Sequence, residues 1–258
     1  MFAEKYGPWA VIAGGSDGTG LAFARAIAAH GVNLVLVARG VDALDAAAAQ
    51  LRAEHGVQVR TVVLDLSRDE AGAQLELAVG ELEVGLFVYN AGADMRSVDF
   101  LDKPVEEHLA MVRRNCSSVL DSTYRFGRAM VERGHGGVVL VTSGAGWVGG
   151  AHLVTYGASK AFDLILAEGL WAEWRGHGVD VLSLVLSATD TPSYHRNLEA
   201  KSAAPQRALA DPDEVVAEAL EHLADGPTWV AGGGSNPGSP FGAMPRRDAV
   251  LLMSGAST

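Results

Sequence analysis

The sequence predicts an α/β fold in which one doubly wound parallel sheet of about seven strands is flanked by helices. Short β-branched runs alternate with longer alanine- and leucine-rich segments, and a glycine-rich turn directly follows the first run. Alternation of this kind is typical of parallel strands joined by crossover helices. Of the 258 residues, 48% are hydrophobic, which is enough for a sizeable core. Many α/β chains of this length form one domain.

The predicted strands are short and rich in valine and leucine, as expected of a sheet that is buried on both faces. They cover Trp9 to Ala13, Asn33 to Ala38, Gln58 to Leu64, Val84 to Tyr89, Gly137 to Thr142, Val179 to Leu186 and Thr228 to Ala231. The segments between them consist mainly of good helix formers. They cover Gly18 to His30, Val41 to His55, Asp69 to Gly80, Pro104 to Arg133, His152 to Arg175 and Pro212 to Ala224. Asp211 supports the start of the last helix as its cap.

No segment is long enough to be a linker between two domains, so residues 1–258 are predicted to form a single domain. The cluster of glycine, serine and proline from Gly232 to Pro240 is predicted to be a loop. Residues 236–258 are then expected to be a C-terminal tail, with a helical piece near Arg246 to Met253.

The composition argues against several functions. The net charge of −11 opposes general affinity for nucleic acid or an anionic membrane, because an acidic surface repels both. The single cysteine, Cys116, excludes an internal disulfide framework and suits a reducing compartment. No zinc-type spacing of cysteine and histidine occurs, so no metal is predicted. The first apolar run is too short for a signal core or a membrane span, and a cytoplasmic location is expected.

A glycine-rich turn joins the first predicted strand to the first long helix. Glycines at this point allow a tight turn and let the backbone approach a pyrophosphate, whose charge the free amides of the helix N-terminus would meet. An ordinary glycine-rich turn is the alternative, and the position after the first strand of an alternating chain favours phosphate binding. The candidate residues are Gly14, Ser16, Asp17, Gly18, Thr19 and Gly20.

Arg39 follows the second predicted strand, where an acidic residue would accept the adenosine ribose hydroxyls of NAD. An arginine there can instead bind the 2′-phosphate of NADP, so NADP(H) is predicted to be preferred over NAD(H). Asp17 opposes this prediction, because it places negative charge in the same region. A solvated arginine without a ligand is the alternative for Arg39.

Tyr156 and Lys160 lie four residues apart in a predicted helix, and Ser143 precedes the tyrosine by thirteen residues. Residues at i and i+4 project from one face of a helix. A cation beside a phenol favours the phenolate and makes the phenol usable for proton transfer. Alone, such a pair is more often a partly buried ring beside a solvated charge, so the surrounding motifs must decide.

Taken together, these motifs resemble the short-chain dehydrogenase/reductase family over nearly the whole chain. The glycine turn, an Asn-Ala-Gly motif, an aspartate after the third strand and a tetrad occur in the family's order and spacing. Beyond the glycines, the matching residues are Asp65, Asn90, Ala91, Gly92, Asn115, Ser143, Tyr156 and Lys160. The resemblance implies a Rossmann-type fold and a homodimer or homotetramer, since family members commonly associate through the two long helices after the fourth and fifth strands.

The resemblance also implies roles. Tyr156 would be the general acid and base, Lys160 would hold the nicotinamide ribose, and Ser143 would hydrogen-bond the substrate oxygen. Asn115 would form a helix kink that binds a water molecule linking Lys160 to solvent. Asp65 would contact the adenine, Thr191 would lie on the nicotinamide side, and Leu66 and Thr189 are counted with the cofactor-binding residues. Tyr156, Lys160 and the Asn-Ala-Gly motif are counted with the cofactor site, and residues 192–210 with the family's variable lid.

Two departures from the family pattern are visible. Ala13 replaces the usual threonine before the first motif glycine, and Leu186-Ser187 replaces the usual Pro-Gly after the sixth strand. The second change frees the backbone that faces the nicotinamide. The opening residues EKYGPWAVIAGGSDGTG and the segment SATDTPSYHRNL are similar to the NADP-dependent 7β-hydroxysteroid dehydrogenases and their uncharacterised relatives, which lack this Pro-Gly too.

The implied function is an NADP(H)-dependent oxidoreductase that interconverts a secondary alcohol and a ketone on a bulky apolar substrate, with a hydroxysteroid as one candidate. Ser143, Tyr156, Trp147, His152 and Tyr194 are predicted to contact the substrate. A carbonyl or quinone reductase for smaller substrates is the first alternative. A non-catalytic cofactor-binding sensor is the second, although a sensor would not need the tetrad. Reduction of carbon–carbon double bonds, epimerisation and dehydration also occur on related folds.

Overall fold

One eight-stranded sheet forms the centre of the protein. The structure is a computed structural model, and it describes residues 2–94, 96–200, 208–232, 234–235, 250 and 252. The strand order is β3-β2-β1-β4-β5-β6-β7-β8; the first seven strands in the chain are parallel and β8 pairs antiparallel with β7. The strands are β1 Trp9–Ala13, β2 Asn33–Ala38, β3 Val59–Val63, β4 Val84–Tyr89, β5 Gly136–Ser143, β6 Val179–Leu186, β7 Thr228–Val230 and β8 Gly234–Ser235.

Helices cover both faces of the sheet, as the predicted alternation requires. They are α1 Phe2–Tyr6, α2 Gly18–Ala29, α3 Val41–His55, α4 Ala71–Val79, α5 Val105–Val112, α6 Ser118–Arg133, α7 Val154–Trp174, α8 Pro192–Ala200 and α9 Pro212–Glu221. A π-helical turn, Arg113–Ser117, joins α5 to α6. None of the helices in the described part of the chain is both long and apolar enough to span a membrane.

Two apolar clusters hold the layers together, one on each face of the sheet. Along β1 the side chains alternate between them: Ile12 belongs to the cluster with α2 and α9, and Val11 to the cluster with α4 and α6. Side chains of a strand point alternately to opposite faces, and both faces are buried here. This explains why the strands read as continuous apolar runs.

The strand order reverses between β1 and β4, and this reversal positions the site. The chain proceeds from β1 outward through β2 to β3 and then returns to the other side of β1 with β4. The loops after β1 and β4 therefore leave the sheet in opposite directions and leave a crevice at the carboxyl ends of the strands. In open parallel sheets, ligands bind at such crevices.

All seven predicted strands and the α/β class are confirmed, with bounds that differ by up to one residue. One predicted helix, Pro104 to Arg133, is wrong as a continuous element, because the π-helical turn divides it. The short α1 and α8 had no prediction, and β8 lies within the predicted loop Gly232 to Pro240. Apart from Val250 and Leu252, which are helical, the helical piece predicted near Arg246 to Met253 lies outside the described residues.

Candidate active site

A cavity of about 840 Å³ occupies the crevice at the carboxyl ends of the parallel strands. It brings together residues from the glycine turn, from the ends of β2, β3 and β4, from β5 and α7, and from the segment after β6. The residues predicted from the sequence that line it are Gly14, Ser16, Asp17, Gly18, Thr19, Arg39, Asp65, Leu66, Asn90, Ala91, Gly92, Ser143, Trp147, Tyr156, Lys160, Thr189, Thr191 and Tyr194.

The glycine turn is so tightly closed that side chains would not fit. Gly14 has a φ of +83°, and a Cβ there would lie 2.9 Å from the amide nitrogen of Ala91. Gly20 does not line the cavity; a Cβ on it would lie 1.8 Å from the carbonyl oxygen of Gly14. Asn90 closes the turn from the other side, since its Nδ2 donates to the same oxygen at 3.0 Å. The Asn-Ala-Gly motif thus stabilises the closed conformation of the glycine turn.

The N-terminus of α2 points unpaired amides toward the cavity. The first intrahelical hydrogen bond runs from the Leu21 amide to the Asp17 carbonyl, so the amides of Gly18, Thr19 and Gly20 precede the ladder. Asp17 has extended backbone and makes no side-chain cap bond to the helix. Free amides and the positive end of the helix dipole together suit the pyrophosphate of a dinucleotide.

Arg39 and Asp65 lie at the far end of the cavity, after β2 and β3. Burial raises the pKa of Asp65. Hydrogen bonds from the Ser67 amide at 3.0 Å and the Ser67 hydroxyl at 2.7 Å stabilise the carboxylate and lower the pKa. With the charges of Arg39 and Arg114 nearby, these bonds hold the pKa of Asp65 below its ordinary value. Arg39 itself is exposed and lines the cavity. An anionic group that enters this end meets a guanidinium.

Tyr156 and Lys160 lie on the first turns of α7, as their spacing predicts. Tyr156 is half-buried at the cavity wall, whereas Lys160 is only 3% exposed. The ammonium nitrogen of Lys160 donates to the carbonyl oxygen of Val141 at 2.8 Å and to Oδ2 of Asp163 at 3.0 Å. Ser143 lies at the end of β5, where its hydroxyl accepts a hydrogen bond from the Ala145 amide at 3.2 Å. A phenol, a hydroxyl and a cation thus share one wall.

Asn115 lies in the π-helical turn and is fully buried behind this wall. Its Nδ2 donates to the Gly92 carbonyl at 3.1 Å and to the Ser159 hydroxyl at 2.9 Å, and Ser159 in turn donates to the Tyr156 carbonyl at 2.8 Å. Asn115 does not line the cavity. It connects the Asn-Ala-Gly motif to the helix that carries Tyr156 and Lys160. π-helical turns of this kind are frequent at functional sites.

The other end of the cavity is formed by the segment after β5 and by α8. Trp147 and Tyr194 line it, as predicted, together with Leu153. His152 does not line the cavity: it is exposed, and its Nδ1 lies 3.0 Å from Oδ1 of Asp99. Its backbone φ is +64°, which turns the chain at this point.

Helix α8 lies over the cavity mouth and makes polar contacts on two sides. Asn197 donates to the Asp94 carbonyl at 2.7 Å and to the Ser97 hydroxyl at 3.2 Å. Arg196 pairs at 3.3 Å with Asp17 of the glycine turn. The predicted lid therefore begins as a helix that contacts both the glycine turn and the loop after β4. Residues 201–207 of that predicted lid lie outside the described residues.

Several residues of the site carry no sequence motif. Asp163 pairs with Lys160, Ser159 holds Asn115, and Arg114 donates from Nε to Oδ1 of Asn115 at 3.1 Å. The one signal for Asp163 is its spacing of three residues from Lys160, which places it within reach on the same helix.

Comparison with known proteins identifies the chain's relatives. The sequence profile described as short chain dehydrogenase matches residues 8–202. The chain belongs to this family. A 7β-hydroxysteroid dehydrogenase of Collinsella aerofaciens is 34% identical over 231 residues, which are 89% of this chain and 88% of that protein.

Solved structures of short-chain dehydrogenases share the fold. A structure from a study of 7β-hydroxysteroid dehydrogenase stereoselectivity has a TM-score of 0.82 and 33% identity, and the match covers 90% of each chain. A short-chain dehydrogenase from Sphingobium yanoikuyae, in complex with NADPH, has a TM-score of 0.78 and 31% identity over 87% of each chain. The Rossmann-type sheet is therefore that of a short-chain dehydrogenase.

As a short-chain dehydrogenase, the protein is an oxidoreductase that acts on CH–OH or C=O groups and uses a nicotinamide cofactor. Its residues fit such a cofactor. The closed glycine turn and the unpaired amides of α2 suit a pyrophosphate, and the guanidinium of Arg39 lines the end of the cavity that follows β2 and β3.

Proposed function

We propose that the protein is an NADP(H)-dependent oxidoreductase that interconverts a secondary alcohol and a ketone on a bulky apolar substrate of the hydroxysteroid class. The observation that carries this proposal is the lining of one cavity, which combines Ser143, Tyr156 and Lys160 with the aromatic side chains of Trp147 and Tyr194. Ligand sites of this kind combine apolar walls with a few polar groups that fix the reacting atom. The relatives named as 7β-hydroxysteroid dehydrogenases support the substrate class.

In this proposal, three residues that line the cavity have separate roles in carbonyl reduction. Tyr156 donates its phenolic proton to the substrate oxygen, and Ser143 donates a hydrogen bond to the same oxygen, where negative charge develops. The ammonium of Lys160 stabilises the phenolate that remains on Tyr156. The reduced nicotinamide, when bound, supplies the hydride. Alcohol oxidation reverses each proton movement, so Tyr156 then acts as the base.

A substrate panel tests this function. Purified protein with NADPH should consume the cofactor with ketosteroids, and oxidised steroid product should form in the reverse direction with NADP. Smaller ketones, aldehydes and quinones serve as the comparison, since they bury less apolar surface in the cavity than a steroid does. Turnover of only the smaller compounds would replace the steroid proposal by a carbonyl or quinone reductase. Cofactor binding without turnover of any compound would favour a sensor.

We propose that Arg39 makes NADP(H) the preferred cofactor. Replacing Arg39 with alanine removes the guanidinium that would bind the 2′-phosphate, and a hydrogen bond to a charged group contributes about 1.5–3 kcal/mol. The KM for NADPH is therefore expected to rise about 10- to 100-fold, while the KM for NADH stays nearly constant. Steady-state kinetics with both cofactors measure this change.

Arg128→Ala is the matched control for Arg39, because Arg128 is exposed and pairs with Glu132 on α6. It should leave both KM values unchanged. An equal increase in the KM for NADPH and for NADH in Arg39→Ala would contradict the proposed preference for NADP(H).

We also propose that the protein is a homodimer or homotetramer. Large apolar side chains are exposed on the outer faces of α5, α6 and α7, where a second copy of the chain could cover them. They are Val105, Leu109, Leu120, Tyr124, Val154, Phe162 and Ile165. The particle mass in solution, compared with 26.9 kDa for one chain, tests this assembly.

A further inference from the structure

Asp163 is a buried carboxylate that no step of the proposed mechanism uses. It lies three residues after Lys160 on α7 and is only 2% exposed. Its Oδ2 lies 3.0 Å from the Lys160 ammonium, whereas Oδ1 has no hydrogen-bond partner among the described residues. Burying a carboxylate is costly unless a positive charge or several hydrogen bonds compensate it. A carboxylate that is buried despite this free-energy cost is expected to have a specific role.

The hydrogen bonds of Lys160 indicate what that role is. An ammonium has three N–H donors and no acceptor. Two of the donors are directed into the protein, toward the Val141 carbonyl and Asp163. Because the three bonds of the nitrogen diverge tetrahedrally, fixing two of them also fixes the third. Lys160 lines the cavity, so the third donor is the one available to a ligand there.

Burial keeps two ionisable side chains near this pair in their neutral form. Burial raises the pKa of the Cys116 thiol, in the π-helical turn, to about 11. Burial likewise raises the pKa of the Tyr89 phenol, on β4, far above its ordinary value. The guanidinium of Arg114, in the same turn, is positively charged and partly offsets the rise in the pKa of Tyr89. Tyr156 lies one helical turn before Lys160. Burial raises the pKa of Asp163, and the charge and hydrogen bond of Lys160 oppose this rise. Among the described residues, Asp163 is the carboxylate whose hydrogen bond reaches the Lys160 ammonium and can compensate its charge.

We propose that Asp163 is a positioning residue that keeps the Lys160 side chain charged and aimed into the cavity. The inference rests on the proposed function of Lys160, and it assigns to Asp163 no contact with substrate or cofactor. Asp163 acts only through the ammonium, as an acceptor that directs it and as a counter-charge that compensates its burial.

Asp163→Asn should therefore change the pH dependence of catalysis. Without the carboxylate, the buried ammonium either loses its proton more easily or, while still charged, stabilises the Tyr156 phenolate more strongly, so that Tyr156 releases its proton at lower pH. Both effects remove the protonated Tyr156–Lys160 pair that carbonyl reduction needs, so the alkaline limb of the kcat profile should move to lower pH. We expect a shift of about one pH unit or more, a tenfold change in the proton equilibrium.

Cofactor affinity supplies a readout that does not depend on turnover. Lys160 is expected to hold the nicotinamide ribose through its third donor. Fluorescence titration with NADPH over a range of pH should therefore show that affinity falls at a pH about one unit lower in Asp163→Asn than in the wild type. If the substrate proposal fails, this titration still measures the role of Asp163. If the substrate proposal holds and neither the kcat profile nor the affinity profile moves in the variant, the role assigned to Asp163 is wrong.

Two further variants complete the test. Glu168→Gln removes one carboxylate from the same helix, at a residue whose Oε1 accepts from Thr228 at 3.1 Å, and should move neither profile. Should Asp163→Asn fail to fold, the double variant Lys160→Met with Asp163→Asn decides the question. Recovery of a folded protein supports the inference, since no unpaired charge remains buried. Failure of the double variant to fold overturns it, because Asp163 would then act through packing.

Discussion

Tyr156→Phe is expected to lower kcat by about 100- to 10,000-fold, the usual contribution of a positioned general acid or base. The substitution removes one hydroxyl and keeps the ring, which is half-buried in the cavity wall. Ketone reduction then lacks its proton donor, whereas the glycine turn and the amides of α2 are untouched. NADPH affinity should therefore stay within about twofold of the wild type, a smaller change than the loss of one hydrogen bond to the cofactor would cause. Steady-state rates and fluorescence titration measure the two quantities separately.

Tyr124→Phe is the control for this experiment. Tyr124 lies on α6 and does not line the cavity, and phenylalanine keeps the ring that a second copy of the chain would cover, so loss of its hydroxyl should leave kcat unchanged. A Tyr156→Phe rate within a few-fold of the wild type would show that another group transfers the proton. The role of general acid would then have to be assigned elsewhere on the cavity wall.

Gly20→Ala is expected to weaken NADPH binding by on the order of 100-fold, about 2.7 kcal/mol. A Cβ at this position would lie 1.8 Å from the Gly14 carbonyl oxygen and 2.7 Å from Nδ2 of Asn90. The backbone must move to relieve this overlap, which opens the glycine turn and breaks the hydrogen bond from Asn90 to Gly14. Isothermal titration with NADPH measures the loss, and circular dichroism shows whether the variant is folded.

Gly169→Ala provides the same substitution where there is room. Gly169 lies within α7, and nothing lies within 4 Å of the position that its Cβ would occupy. Alanine favours a helix over glycine by about 1 kcal/mol, so this variant should bind NADPH normally and unfold at a slightly higher temperature. Wild-type affinity in Gly20→Ala would mean that the turn can open without affecting the cofactor site.

Much of the site could be predicted because its chemistry depends on local spacing. Tyr156 and Lys160 share a helix face in any regular helix, and a glycine turn after the first strand faces the same sheet edge as the residues after later parallel strands. The strands themselves are apolar runs bounded by turn residues, which explains why their predicted bounds are accurate.

The features that were missed depend on contacts between distant segments. The family resemblance implied a helix kink at Asn115, and the π-helical turn Arg113–Ser117 lies there, but composition alone gave one continuous helix from Pro104 to Arg133. Asn115 is directed by Gly92 and Ser159, which lie 23 and 44 residues away. An aspartate three residues after a lysine is common on helix surfaces, and only the packing of α7 against the sheet shows that Asp163 is buried.

The placement of β1 in the centre of the sheet also bears on how the protein becomes active as it folds. β1 is among the first segments of the chain, yet its neighbour β4 must arrive before Asn90 can brace Gly14, a contact that spans 76 residues. The contact between Asp17 and Arg196 spans 179 residues. Contacts so distant in the chain form slowly, because the entropy of closing long loops opposes them. Activity is therefore a property of the completed sheet, and a partly folded chain would contain the catalytic side chains without the site.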